Sequence, residues 1–324
     1  MFKILILFHM NNVYDKLISP DSIFASWRAY AKGKGKKKDV MEFERHLEDN
    51  VFSLCQELKE GNYCHSKYHY FRISDPKKRD IYKSEVRDRI VHQAIYSYLC
   101  KIYEPAFIEY SFSSRKGKGS HRAVAALKSL ADKIQKDRGI CFAMKCDVRK
   151  YFENIDHAVL LDILRNKISD KKVLNLLEII IRSFNTESGK GIPLGNITSQ
   201  VFANIYLNEL DRFAVCNLKP LGYVRYNDDF IILENNQNKV FEKTGKAKIF
   251  LKDTLKLQLP EEKTIFRKFR WGIDFCGCVI LPNAVILRQK TKRRALKNMI
   301  LSYRNFNLLT QTQKPSLGMA CELT

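Results

Sequence analysis

Two adjacent carboxylates stand in Tyr223-Val-Arg-Tyr-Asn-Asp-Asp-Phe-Ile-Ile-Leu233. Apolar residues on both sides of a short polar break predict strand, tight turn, strand, with Asp228 and Asp229 at the bend. A third carboxylate, Asp147, ends the strand-like run from Ile140 to Cys146. Asp147 and Asp228 are 81 positions apart, so all three can share a site only if their strands are neighbours in one sheet. Hard cations take oxygen ligands, and magnesium keeps waters and substrate phosphates in the rest of its shell. Three such carboxylates could hold two Mg²⁺ ions, the standard device for in-line phosphoryl transfer. Asn-Asp-Asp alone would prove little, because Asn and Asp suit turns for purely backbone reasons. The surroundings carry the argument.

The chain has 324 residues with 45% hydrophobic content, enough for a packed core and two or three subdomains. Lys and Arg outnumber Asp and Glu by 57 to 35, a net +22 that calls for an anionic partner; nucleic acid fits best. Nine cysteines without paired spacing and no secretory signal predict reduced thiols and a cytoplasmic protein. Cys276-Gly-Cys278 lacks a second zinc-spaced pair and is expected inside a strand. The apolar opening Phe2–Phe8 is too short to span a bilayer and is expected to be a buried strand or a docking tail.

Helices are expected after Ser19-Pro20, from Asp39 (a capping box with Glu42) to Gly61, over 85–103, near 156–168 and 170–184, through Val201–Leu210, and near 239–256. Tyr68–Ile73 and Ile81-Tyr82 flank the turn Asp75-Pro-Lys-Lys-Arg79, giving a basic-tipped hairpin. Lys32–Lys38 and Ser111–His121 are basic glycine-containing loops, and Gly189–Gly195 is a third glycine-rich loop. Residues 270–288 read as β-structure, and a basic helix is expected after Thr291.

In that order the segments resemble the sequence blocks of reverse transcriptases. Tyr226-Asn-Asp-Asp229 is similar to their YxDD box, and Lys145–Asp156 to motif A. Phe71–Ile81 with Val86–His92, and Ser111–His121, resemble the two fingers blocks. Gly191–Asn208 resembles motif B, Leu255–Thr264 motif D, and Gly272–Val279 the primer grip. The resemblance implies an α+β right-hand polymerase fold with fingers, a palm of antiparallel sheet on helices, and a short helical thumb. It places a helical extension at 1–64, fingers at 65–139 and 157–194, palm at 140–156 and 195–284, and a short basic thumb at 285–324.

The implied activity is RNA-directed DNA polymerisation. Asp147, Asp228 and the backbone carbonyl of Val148 are implied as ligands of two Mg²⁺ ions, with Mn²⁺ as the alternative and Asp229 in support. Lys77, Lys78 and Arg79 at the hairpin tip, Phe152 as a gate against the ribose 2′-hydroxyl, Leu194, Gly195 and Lys263 are implied around the dNTP. Arg115, Lys116, Lys118, Ser199, Gln200, Lys290, Lys292, Arg293 and Arg294 are implied on nucleic acid. Implied partners are template RNA, primer, dNTPs and a small basic accessory protein, with no membrane.

Motif B narrows the resemblance. Most reverse transcriptases carry Gln-Gly and then Ser-Pro there; this chain has Leu194-Gly195 and Ser199-Gln200. That form is similar to the reverse transcriptases of diversity-generating retroelements, which copy a template repeat with errors at adenines and are prokaryotic or phage-encoded. A retron or group II intron-like enzyme is expected to keep Gln-Gly and Ser-Pro. An RNA-templated RNA polymerase and a catalytically silent RNA-binding protein on the same fold are the remaining alternatives. Phe152 argues against the first, the three carboxylates against the second.

Overall fold

The computed structural model describes residues 13–74 and 78–312. The opening Phe2–Phe8 and tip residue Lys77 lie outside them. Short helix α1 (Val13–Leu17) leads to α2 (Pro20–Ala31), where Ser19 accepts from the Ser22 N–H at 3.3 Å and Pro20 takes the first turn. The single helix expected from Asp39 to Gly61 is two, α3 (Lys38–Arg45) and α4 (Leu47–Glu60), broken at His46 with φ −125° and ψ 43°. Lys37, not Asp39, is the N-cap residue; the Asp39 carboxylate instead pairs with Lys83 at 2.6 Å. Gly61 closes α4 in the left-handed conformation, as expected.

Strands β1 (His69–Ile73) and β2 (Arg79–Lys83) form the antiparallel basic hairpin. Helix α5 (Val86–Tyr103) follows, burying Val86, Ile90, Ile95 and Leu99 against α2 and, further along the chain, residues 197–213. Then come α6 (Ser120–Arg138), β3 (Phe142–Asp147), the four-residue α7 (Tyr151–Asn154), α8 (His157–Arg165), α9 (Lys171–Arg182) and α10 (Ile197–Phe213). The hairpin β4 (Gly222–Tyr226) and β5 (Asp229–Glu234) is followed by α11 (Gln237–Asp253) and β6 (Thr264–Lys268). Strands β7 (Ile273–Phe275), β8 (Cys278–Ile280) and β9 (Val285–Leu287) form a small sheet before α12 (Gln289–Thr312).

The central sheet has the order β4-β5-β3-β6, antiparallel throughout. Side chains alternate between its faces. Phe142, Met144, Cys146, Phe230 and Ile232 enter the main core with residues of α10 and α11. Ala143, Ile231, Leu233 and Val224 enter a second core with α6 and the β7–β8 hairpin. Asp147 and Asp229 continue this second face to the end of the sheet, where the apolar cover stops.

Strand β6 is an edge strand whose residues alternate between half-buried and exposed, so its five residues carry only a weak apolar signal. The Cys276-Gly277 pair is not strand interior. Phe275 pairs with Cys278, leaving Cys276 and Gly277 as the turn, both at positive φ. Burial pushes the Cys276 thiol up to about 12, and all eight described cysteines are free.

Candidate active site

The register brings the three carboxylates together. Asp147 is the direct partner of Asp229 across β3 and β5. Asp228 occupies the two-residue turn between Tyr226 and Asp229, beside Asn227, whose left-handed φ of 57° Asn tolerates better than most residues. The Asn227 amide donates to Asp228 Oδ1 at 2.9 Å, and the buried Val148 donates its N–H to the Asp228 carbonyl at 3.2 Å. Like charges facing each other across a ladder repel. Burial pushes the Asp229 carboxyl up to about 6; Lys145, 3.8 Å away, pulls it back, while Asp228 and Asp147 push it further up. Burial, then the Asp147 charge, also raise Asp228, against hydrogen bonds from its own backbone and Asn227.

Two lysines offset this charge. Lys145 faces Asp229, and Lys263, from the turn before β6, donates to Asp147. Among the described residues no group of three His, Cys, Asp or Glu side chains is gathered at metal-ligating spacing. Even so, Asp229 Oδ1 is buried with no hydrogen-bond partner, the donors are all oxygen, and the carboxylates outnumber the lysines. That composition fits a hard divalent cation.

An element that the sequence reading missed holds the turn. The Arg225 side chain is 1% exposed and forms a fork on the fully buried Asp211 of α10, Nε to Oδ1 at 2.7 Å and Nη2 to Oδ2 at 2.6 Å. Its Nη1 donates to the Asn227 carbonyl at 3.0 Å, and Nη2 to Ser111 Oγ at 2.9 Å. Tyr223 Oη also donates to Asp211 Oδ1, at 2.8 Å. One buried ion pair thus ties α10, the 111–113 segment and the Asp228 turn together. An arginine next to a strand tyrosine looks solvated in sequence; only the inward Asp on a distant helix shows otherwise.

The glycine-rich loop leans on the basic hairpin. The Tyr82 N–H donates to the Leu194 carbonyl at 2.9 Å, and the Asn196 side-chain amide donates to the Tyr82 carbonyl at 3.0 Å. Ser84 Oγ donates to Asn196 Oδ1 at 2.6 Å. Gly195 has φ 114°, and a Cβ there would lie 2.8 Å from Ile81 Cγ2, so only glycine fits. Phe152 is half-buried against Tyr151, and its carbonyl accepts from the Ile192 N–H at 2.9 Å. Phe152 and Leu194 therefore flank one loop.

The remaining residues divide. Lys78 and Arg79 are exposed at the hairpin tip. Ser199 is buried, whereas Gln200 is exposed on the first turn of α10. Arg115 turns inward rather than out to a phosphate: it pairs with Glu104 at 2.8 Å and donates to the Ile108 and Ser111 carbonyls, both at 2.7 Å. Lys118 donates to the Glu109 carbonyl at 2.8 Å, which leaves Lys116 as the exposed cation of that loop. Lys290, Lys292, Arg293 and Arg294 lie exposed on α12.

Helices flanking a four-stranded antiparallel sheet with carboxylates at its end are the architecture of a right-hand polymerase. Two telomerase structures share it: a Candida tropicalis apo telomerase truncated from its C-terminal domain (TM-score 0.53, 12% identity, 75% of this chain and 60% of that chain) and a Candida albicans telomerase (TM-score 0.50, 12%, 77% and 51%). The model of the reverse transcriptase (RNA-dependent DNA polymerase) family matches residues 75–280, and the chain belongs to that family. It is 24% identical to the group II intron-encoded protein LtrA of Lactococcus lactis subsp. cremoris, over 89% of this chain and 60% of that protein. Protein YkfC of Escherichia coli K12 is 26% identical, over 69% of each chain. The chain thus spans about three fifths of the Lactococcus relative's length. Among the described residues no helix is long and apolar enough to cross a membrane.

Proposed function

We propose that the protein is an RNA-directed DNA polymerase that makes cDNA from template RNA, primer and dNTPs. The observation that carries this reading is the pairing of Asp147 with Asp229, with Asp228 in the adjoining turn and an orphaned carboxylate oxygen among them. Asp147, Asp228 and the Val148 carbonyl would hold Mg²⁺ or Mn²⁺, with Asp229 behind them. Divalent ions there supply the charge that activates an attacking 3′-hydroxyl and steadies the leaving pyrophosphate oxygens. Lys78 and Arg79, with Lys77, offer cations to the triphosphate; arginine suits a bidentate phosphate contact and lysine a point charge. Lys263 already touches Asp147 and would hand a proton to pyrophosphate. Phe152, beside the 191–195 loop, would exclude a ribose 2′-hydroxyl. Purified protein with primed RNA, Mg²⁺ and dNTPs should extend the primer, and Asp228→Asn should not. Absence of extension in both would leave a binding protein on a polymerase fold.

Within the family we read the chain as the error-prone enzyme of a diversity-generating retroelement, partnered by a small basic accessory protein, in a prokaryotic or phage-encoded cytoplasmic system. Leu194 supports this: an aliphatic side chain offers no hydrogen bond to a nucleotide, so selection there rests on shape and pairing. Leu194→Gln should lower misincorporation opposite template adenine, read by sequencing the cDNA; equal error rates reject the assignment. The similarity to LtrA favours a second reading, an intron-type reverse transcriptase. Two near-identical repeats differing at adenines beside the gene would support the first, and intron RNA domains around it the second.

A further inference from the structure

The end of the central sheet opposite the carboxylates carries a ladder of rings and cations that the site above does not use. Phe241 of α11 stacks on Phe266 of β6, with centroids 5.2 Å apart and planes at 25°. Phe266 stacks on Phe142 of β3 at 5.6 Å and 21°. The Lys268 ammonium lies 6.0 Å from the Phe142 centroid and 5.1 Å from that of Trp271. The two ends of the ladder are open to solvent: Phe241 is 48% exposed and Trp271 55%. Phe142 starts the strand that Asp147 ends, which puts Phe142 about 17 Å from Asp147 along the strand at ~3.4 Å per residue.

Charge at this end is one-sided. Residue pairing sets Lys268 opposite Phe142, on the ladder's face, and Arg267 opposite Ala143, on the other face of this edge strand; exposed Arg270 directly precedes Trp271. The last turn of α6, with Lys136 and Arg138, runs directly into this strand start. Among the described residues none of these five cations lies within 4.0 Å of a carboxylate. The local acids are otherwise engaged or few: Glu234 is buried and paired with Lys243, Glu242 pairs with Lys246 at 2.6 Å, and Asp137 alone is exposed without an ion pair. Strand β6 also leaves one edge of the sheet open. A peptide strand added there would meet uncompensated positive charge, whereas a polyanion with flat faces meets both features.

We propose that this edge is a second contact for single-stranded RNA, outside the catalytic cleft and indifferent to sequence. Bases stack on the outer faces of Trp271 and Phe241, and phosphates run along Lys268 and Arg270. Stacking platforms set in a cationic groove are the common means of holding single strands. The contact would keep template RNA on the enzyme beyond the few nucleotides in the cleft. It rests on an RNA-handling role for the chain but not on polymerisation.

Fluorescence anisotropy with a labelled unstructured RNA longer than the cleft can cover tests it without reference to catalysis. Trp271→Ala should weaken binding about tenfold, and Trp271→Phe should restore most of it, since a ring face is kept. Lys268→Glu/Arg270→Glu should weaken binding further and lower the log–log salt slope by about 1.4, at ~0.7 per phosphate contact. Extension of a primer on a template short enough to stay in the cleft should remain within twofold of the parent. RNA affinity unchanged in all three variants overturns the proposal, as does loss of self-association or protein partner binding with RNA affinity intact. An equal loss with the short template also overturns it, by showing a general defect. Failure of the polymerase reading is a separate result, no dNTP incorporation by the parent protein.

Discussion

Two hairpins of similar size meet opposite surroundings in this protein. The hairpin β4–β5 is buried along both strands, and its turn hangs from the Arg225–Asp211 pair. The hairpin β1–β2 is exposed along β1, and its cross-strand contacts, Arg72 and Tyr70 on Asp80 at 2.6 and 2.8 Å, lie in solvent where such pairs contribute little. It is fastened to the body mainly through Tyr82, Ser84 and the 194–196 loop. The carboxylate hairpin is built for fixed position. The basic hairpin leaves Lys78 and Arg79 exposed in solvent, while its base rests on the loop carrying Leu194.

The comparison breaks most simply at the carboxylates. Asp147→Asn and Asp228→Asn should each cut primer extension by about 10³-fold with the fold intact by circular dichroism, the scale of losing one transition-state charge contact. Residual activity near the parent level would move the chemistry elsewhere.

Arg225 sharpens it next. Arg225→Met leaves Asp211 buried and unpaired and should cost about 3 kcal/mol in denaturant unfolding. The double variant Arg225→Met/Asp211→Leu should recover much of that stability, because apolar replacements of a buried pair are tolerated. It should not recover extension rate, since the Asn227 carbonyl has still lost its donor. Recovery of both would reduce Arg225 to a packing role.

Smaller effects belong to the exposed hairpin. Arg79→Ala should raise KM for dNTP about tenfold with kcat nearly kept, the scale of one charge-assisted phosphate contact. The melting temperature should stay within about 1 °C, as for most surface changes. A large loss of stability would show that this hairpin too is held by its side chains.

The smallest effect concerns Asp229. Its folded carboxyl is raised to about 6, above the usual value near 3.8, so the folded state binds more protons than the unfolded state between those values. Stability should therefore fall as pH rises from about 4 to 6 in chelator-treated protein. Asp229→Asn should flatten that slope and raise the melting temperature at pH 8 by about 2 °C. A steeper slope in the variant would mean that Lys145, not burial, governs the site.

Much of the fold was legible because its signals are local. Ser19-Pro20 caps a helix, Gly61 ends one, and alternating apolar residues around Asn227-Asp228 make a hairpin whatever lies beyond them. Signals failed where neighbours overrode local preference. Asp39 reads as a cap but is drawn to Lys83; the helix beyond it breaks at His46; and the edge strand β6, Thr264 to Lys268, alternates in burial but not in apolar residue type. Arg115, expected on a phosphate, is spent on Glu104 and two carbonyls.

The amino-acid sequence by itself determined the three carboxylates, the basic hairpin, the glycine-rich loop and the departure from the usual motif B at Leu194 and Gln200. These are matters of residue type and short spacing, which chain order preserves. Only the tertiary structure decided which groups share space. It set Asp147 opposite Asp229, brought Lys263 onto Asp147, and buried Arg225 on an aspartate from another helix. It also aligned Phe241, Phe266, Phe142 and Trp271 along one edge. Such pairings depend on strand register and helix packing between segments far apart in the chain, and no window of sequence contains both partners.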